Sequence, residues 1–206
     1  MDRYFKFIHP LFPVITASVD GESRHYTPAV RAVIYIVALD FANLDEVLCI
    51  QTAYDRSPRK ELADFVWSHI QARSNHPTLD MLQSALLLAL SPAEDMLMPE
   101  NEERLRLGSL IVSMANTLGL QHDPSSWDLP PWEIALRRRL SALVRANDSW
   151  IAAATGRPGF ITSSNWLVDV VSAAEVRQDT AGEENLDDFV RFSELSNILR
   201  IVLEDV

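Results

Sequence analysis

Between Leu107 and Ile161 two helical periods are separated by a stop that neither helix can cross. Leu107, Ile111, Met114 and Leu118 recur at alternating steps of four and three, which puts them on one stripe of a helix. Gly119 follows where a helix end takes a left-handed residue, and Leu120 stands where a Schellman turn folds an apolar side chain back onto the last turn. His122-Asp123-Pro124-Ser125-Ser126 is turn chemistry, with aspartate at its start. Pro130-Pro131 then forbids helix until Pro131 serves as a first helical residue. From there Trp132, Leu136, Leu140, Leu143 and Ile151 repeat at helical spacing until Gly156 and Pro158 end the run. The pattern predicts two helices joined by a tryptophan-bearing loop.

The flanking segments carry the same kind of signal. Tyr4, Phe5, Ile8, Leu11 and Phe12 form an apolar opening cut by Pro10 and Pro13, which predicts a helical turn or two and then an extended exit. His9 reads as a hydrogen-bonded residue between core and surface. Asp20 to Arg24 is a polar turn. Thr27-Pro28 reads as an N-cap before a helix in which Val30, Val33, Ile34, Val37 and Leu39 leave almost no polar face, so that helix belongs inside. Asn43 to Tyr54 fits a short strand or a short helix equally well. Ser57-Pro58 restarts a helix with Leu62, Phe65, Val66 and Ile70 on one face and Trp67 beside it. Thr78 caps a leucine-rich helix, and Ser91-Pro92-Ala93-Glu94 has capping-box spacing before Pro99. Trp166 to Ala174 is apolar enough to pack, and Glu175 to Asp188 reads as an acidic surface loop. Asn185 is placed to cap a last helix striped by Phe189, Phe192, Leu195, Leu199 and Val202, with Ile198 beside them. Alternating strand patterns are scarce, so the expected fold is all-α, a single helical-bundle-like domain.

Composition excludes several functions. The 206 residues suffice for one sizeable core, and 48% hydrophobic with 23% charged residues is ordinary for a globular chain. The net charge of −11 opposes binding to a polyanionic duplex, whose affinity comes mostly from neutralised phosphates. Cys49 is the sole cysteine, which leaves neither a disulfide framework nor a thiolate zinc site and points to a reducing compartment. No run reaches membrane-spanning length, and no signal-peptide core opens the chain.

The central stretch also carries a resemblance. Leu118-Gly119-Leu120, Asp123-Pro124-Ser125, Trp127, Pro130, Trp132-Glu133, Leu136 to Leu140 with Arg137, Arg138 and Arg139, Asp148, Trp150 and Gly156-Arg157-Pro158 stand in order at the spacings of a known signature. In these residues the chain resembles the fungal-specific transcription factor domain, the regulatory middle homology region of fungal zinc-cluster (Zn2Cys6) regulators. The opening YFKFIHPLFPVI and the TLDMLQSALLL element resemble the same family in the same order. The finer likeness is to the branch that includes regulators of nitrogen-source utilisation.

Each chemically interesting group has a plainer reading beside it. Successive helical residues point about 100° apart, so Arg137, Arg138 and Arg139 cannot make one flat phosphate-binding patch. One is expected to pair inward, with Glu133 four residues before Arg137 as a surface partner, and two to be solvated. Asp148, beside Trp150 on an apolar helix, is expected to pair with Arg157 or one of the three arginines. Trp127, Trp132 and Trp150 are read as core rather than as a ligand pocket, and His122-Asp123 as a turn rather than half a metal site. Asp187-Asp188 resembles the aspartate-rich motif of terpene-forming enzymes, but the position three residues on is Arg191. Nucleophile-elbow, dinucleotide and P-loop motifs are absent from the sequence.

The resemblance therefore implies residues 1–206 as an all-helical regulatory domain, cut short on its C-terminal side, acting in the nucleus on RNA polymerase II transcription of metabolic genes. Its implied partners are transcription machinery or co-regulators and a small-molecule effector, with self-association through the last helix, and no direct nucleic-acid or membrane contact. No catalytic, metal or cofactor residue is assigned, because no second acid, base or nucleophile accompanies Asp148 and Cys49 stands alone; family members carry zinc in a separate N-terminal cluster. A helical adaptor that has lost DNA binding is the alternative, and an all-α small-molecule enzyme a remote one. The chain alone is expected to bind neither zinc nor duplex DNA. Metal analysis of purified protein and a mobility-shift titration at moderate salt check this, and stoichiometric zinc or a salt-sensitive shifted band would refute it.

Overall fold

The computed structural model describes residues 2–16, 18–19, 22–23, 26–44, 58–90, 102–168 and 186–205, and the structural statements below concern these. Cys49, most of Asn43 to Tyr54, the Ser91 to Pro99 segment, the loop from Glu175 and Asn185 lie outside them.

Helix α1, Pro28–Leu39, starts on its proline, and the Thr27 carbonyl accepts the Arg31 amide at 3.0 Å. The Thr27 side chain makes no capping bond, so the proline and its preset φ rather than the hydroxyl start this helix. Ala29, Val30, Ala32, Val33, Ile34, Ile36 and Val37 are all buried, as a helix without a polar face requires. It packs against α2, Arg59–Ala72, and α3, Leu79–Leu90. In α2 the buried line is Val66 and Ile70 with Leu62 partly covered. Phe65, expected on that face, is exposed, because it points about 100° away from Val66 and α2 offers the core only a narrow stripe. The Thr78 hydroxyl accepts the Met81 amide at 3.4 Å, so the predicted cap of α3 is formed.

Helix α4, Glu102–Thr117, begins ahead of its apolar stripe, with Glu102 and Glu103 in the first turn where the helix dipole favours acids. It ends as the sequence implies. Gly119 has φ +74°, the Leu120 amide reaches back to the Ala115 carbonyl at 2.9 Å, and the Gly119 amide reaches Asn116 at 3.1 Å, both bonds of a Schellman turn. Helix α5, Pro131–Thr155, stops at Gly156 with φ +64°, and the Arg157 amide closes onto the Ala152 carbonyl at 3.2 Å. Helix α6, Asp187–Glu204, lies along α5. Only part of its predicted stripe turns inward. Phe189, Val190, Ser193 and Ser196 are buried, whereas Leu195, Ile198, Ile201 and Val202 are exposed. Small serines let α6 approach α5 closely, and this rotates the large aliphatic side chains outward.

The N-terminal segment ties the helices together. A π-type turn, Tyr4–Ile8, buries Tyr4 completely, and its hydroxyl donates to the Phe12 carbonyl at 2.9 Å. Beyond it the chain runs without regular structure to Thr16, with a tight turn in which the Val14 amide donates to the Phe12 carbonyl at 2.8 Å. The buried Gln83 amide of α3 donates to the Val14 carbonyl at 2.7 Å, the Tyr26 hydroxyl donates to the Thr16 carbonyl at 2.7 Å, and the Phe189 amide of α6 donates to the Pro10 carbonyl at 3.1 Å. His9 is buried among the Tyr4 and Phe5 rings. Around the predicted polar turn, Ser18–Val19 pairs antiparallel with Glu22–Ser23, Ser18 opposite Ser23. That two-residue ladder does not alter the class: the protein is all-α, as expected. Among the described residues no helix is long and apolar enough to cross a membrane.

The two left-handed glycines separate backbone strain from packing. A Cβ on Gly156 would meet open space, while one on Gly119 would lie 3.0 Å from the Trp127 ring. Gly156→Ala should therefore cost the left-handed penalty alone, about 1–2 kcal/mol. Gly119→Ala should cost that and the overpacking, about 2–4 kcal/mol together. Urea melts of both variants check the order.

Candidate functional site

The signature residues gather in two places. Around the loop, Trp127 lies against Gly119, and the Arg137 guanidinium sits 5.3 Å from the Trp127 ring centroid. Arg137 also donates to Glu133 at 2.9 Å and to the Leu118 carbonyl at 3.0 Å, so it clamps the end of α4 to the start of α5. Asp123 accepts the Ser125 amide at 3.2 Å and the Ser125 hydroxyl at 2.8 Å, and Arg138 lies 3.2 Å from the same carboxylate. Burial alone would raise the Asp123 pKa, but these Ser125 and Arg138 contacts outweigh it and hold the carboxyl below its ordinary value. Pro124 is buried, Trp132 half-covered at the edge of the core, and Pro130 is the residue before the helix. Arg139 is buried and donates to the Thr16 hydroxyl at 3.2 Å. The expectation of two solvated arginines is thus corrected. The 100° steps send each guanidinium to a different neighbour, and all three are engaged. His122 is exposed beside the turn. Among the described residues no group of His, Cys, Asp and Glu side chains is arranged to hold a metal ion.

The second place is the far half of α5. Asp148 is buried, but no arginine meets it. Its carboxylate accepts the Ile161 amide at 2.8 Å and the Phe160 amide at 3.2 Å, so backbone donors replace the ion pair expected with Arg157, which is exposed. The Gly156-Arg157-Pro158 turn swings the chain back over α5. Gly159 permits the close pass, since a Cβ there would stand 2.9 Å from Asp148 Oδ2. Burial raises the Asp148 pKa, and the two amide bonds only partly offset this. Asp148, Arg157 and Pro158 share the wall of a shallow cleft of about 280 Å³ with Gly108 and Phe160.

Trp150 departs from the core reading: it is 42% exposed. Its indole stacks on Phe192 of α6 with centroids 6.3 Å apart, its Nε1 donates to Ser196 at 3.0 Å, and Phe192 meets Phe12 edge-on at 5.2 Å. This aromatic wall bounds a larger, mostly apolar cleft of about 330 Å³ between α3, α4, α5 and α6, closed below by Leu86, Leu107 and Leu143. Arg104, Asn147 and Thr155 are its polar members. The Thr155 hydroxyl is spent on the Ile151 carbonyl, whereas the buried Asn147 Nδ2 has no hydrogen-bond partner. An unsatisfied buried amide costs about 1–3 kcal/mol, which a ligand acceptor would recover. Trp127 and Trp132 take no part in this cleft. From the sequence, Asn147 is not singled out, and Phe12 and Phe192 are taken only as apolar packing residues. The legible signal was Asn147 itself, one polar residue in the stripe Leu140, Leu143, Asn147, Ile151.

A family model described as the fungal-specific transcription factor domain matches residues 1–170. The chain belongs to this family. Within it, this domain is 30% identical over 178 residues to the transcriptional activator protein DAL81 of Saccharomyces cerevisiae, an alignment that covers 84% of the chain and 18% of that protein. It is 23% identical over 218 residues to an uncharacterised transcriptional regulatory protein of Schizosaccharomyces pombe, covering 100% of the chain and 31% of that protein. The chain thus spans less than a third of the length of either regulator. No solved structure gives a significant match. A family of transcription factor domains implies a regulatory rather than an enzymatic role.

The Asp148 clasp of this fungal transcription factor domain is open to a direct test. Asparagine at 148 can accept one amide but turns a donor toward the other, so Asp148→Asn should cost about 1–3 kcal/mol. Because the folded pKa of Asp148 is raised, its contribution is fully present below the unfolded value and is lost as pH rises through the folded one. The stability gap between wild type and Asp148→Asn should therefore widen as pH is lowered from 7 toward the ordinary carboxylate value of 3.8. Denaturant melts at several pH values check the sign.

Proposed function

We propose that this domain is the regulatory region of a nuclear transcription factor and that it senses a small apolar effector in the cleft beside Trp150. The single observation carrying the effector reading is the pairing of an open aromatic wall, Trp150 and Phe192, with the unpartnered buried Asn147 amide. Small-molecule sites are concave, mostly apolar and marked by a few convergent polar groups, and the cleft meets that description. A ligand with a flat or branched apolar body and one carbonyl-type acceptor fits it best. The cleft touches α3, α4, α5 and α6, so occupancy would brace these helices against one another. The domain would transmit that bracing to co-regulators or the polymerase II machinery. Direct DNA contact is not assigned to these residues, in keeping with the charge of −11 and the lone cysteine. Metabolic genes, nitrogen-utilisation genes among them, are the proposed targets, on the strength of the sequence resemblance.

The probe 1-anilinonaphthalene-8-sulfonate should bind the cleft and quench tryptophan emission. Trp150→Ala should weaken that binding about five-fold, the scale of one aromatic contact, and Asn147→Leu should leave it nearly unchanged while improving stability. Fused to a heterologous DNA-binding module, both variants should change reporter output in a fungal host, and a Tyr35→Ala control on exposed α1 surface should not. Reporter output indifferent to both cleft variants would refute the effector reading.

A further inference from the structure

The cleft beside Trp150 has a charged end. Its lining is apolar except for Arg104, Asn147 and Thr155, and among the described residues no aspartate or glutamate lines it. Helix α4 decides where the polar groups stand. A Cβ on Gly108 would lie 2.6 Å from Ile151 Cδ1 and 3.9 Å from Asn147 Nδ2, so this glycine brings the α4 backbone down onto the Asn147 amide. Arg104 stands four residues earlier on the same face of α4, one turn or about 5.4 Å along the axis. Helical side chains lean toward the N-terminus, which carries the exposed Arg104 outward to the rim of the cleft. Glu102 and Glu103 are exposed as well, but steps of about 100° per residue turn both to other faces of α4, and neither lines the cleft.

We infer that the effector is an apolar carboxylic acid bound as its anion, with its body against Trp150 and Phe192 and its carboxylate at Arg104. This rests on the effector reading of the same cleft and names the chemistry of the ligand. The orientation follows from solvation. A carboxylate set among Leu86, Leu107 and Leu143 would lose its hydration without a partner, whereas at the rim it keeps water and gains a charge-assisted hydrogen bond. Arg104 also interacts within the chain, but five N–H donors let one guanidinium serve that contact and a ligand together. The net charge of −11 opposes the approach of an anion, yet physiological salt screens charges beyond about 8 Å and leaves a direct contact in force. Asn147, at the inner end, takes a carbonyl in the body of the ligand where one is present.

Two isosteric probes, 1-naphthaleneacetate and the uncharged 1-naphthaleneacetamide, test this on the whole chain. Their affinities are read by displacement of the neutral fluorophore N-phenyl-1-naphthylamine. Arg104→Gln should weaken the acid about five-fold and leave the amide unchanged. Arg104→Lys, which keeps the charge, should retain most of the affinity for the acid. Arg104 is exposed, so both variants should melt as the wild type does. Equal loss of acid and amide in Arg104→Gln would mean that the arginine only covers the mouth with its stem, and loss of neither would remove it from the site. Either result overturns the anion while the cleft itself stands, provided that Trp150→Ala weakens the amide. A fluorophore that does not bind, or that binds Trp150→Ala as tightly as wild type, would defeat the effector reading and this inference together.

Discussion

Helix α5 is buried on nearly every side, and its polar groups must still find partners. Residues 139–146 are covered without a break, yet they include Arg139, Ser141 and Arg145, and Asp148 and Ser149 follow just beyond. Leaving such groups unpaired in a low-dielectric interior would cost more than the surrounding leucines contribute. Ser149 donates to the Arg145 carbonyl within the helix at 2.9 Å, and the other four each capture a piece of chain remote in sequence. Arg139 takes the Thr16 hydroxyl, Ser141 accepts the Trp166 indole at 2.9 Å, Arg145 donates to the Val168 carbonyl at 3.1 Å, and Asp148 holds the amides of Phe160 and Ile161. The N-terminal segment and the irregular return after α5 are thereby fixed to one helix, and both cross its surface where a loop without hydrogen-bond partners could not stay.

This arrangement explains where the clefts fall. The returning segment after Gly156 covers α5 on the Asp148 side, and the N-terminal segment covers it near Arg139, while α6 lies along a third side. What stays open is the sector between the ends of α3 and α4, where Asn147, Trp150 and Ile151 of α5 line the larger cleft. The serines of α6 settle the remaining geometry. By letting α6 come close, they set Phe192 against Trp150 and turn Leu195, Ile198 and Val202 to solvent. One packing choice thus shapes both the aromatic wall of the cleft and the outward apolar face. The loop signature has a different office: Gly119, Trp127, Arg137 and Asp123 set the angle at which α4 delivers the chain into α5.

Sequence alone was sufficient wherever the signal is local. The Schellman turn at Gly119, the start of α5 on Pro131, its end at Gly156 and the Thr78 cap rest on backbone propensities and neighbouring donors, which a short window contains in full. The interior position of α1 was legible for a related reason, since a helix apolar all round has nowhere else to go. The ordered tryptophans, prolines and arginines of the central stretch were enough to indicate the family. Tertiary structure decided the rest, because those outcomes depend on which surfaces compete. Asp148 was expected to need an arginine, but a backbone turn enabled by Gly159 reached it first. Trp150 and Phe65 went outward although their residue type favours the core, since burial belongs to the stripe that a neighbour covers and not to the side chain alone. On α6 the periodicity offered an apolar stripe and two serines for the same interior. Close packing against α5 favoured the serines, and only the assembled helices could reveal that choice.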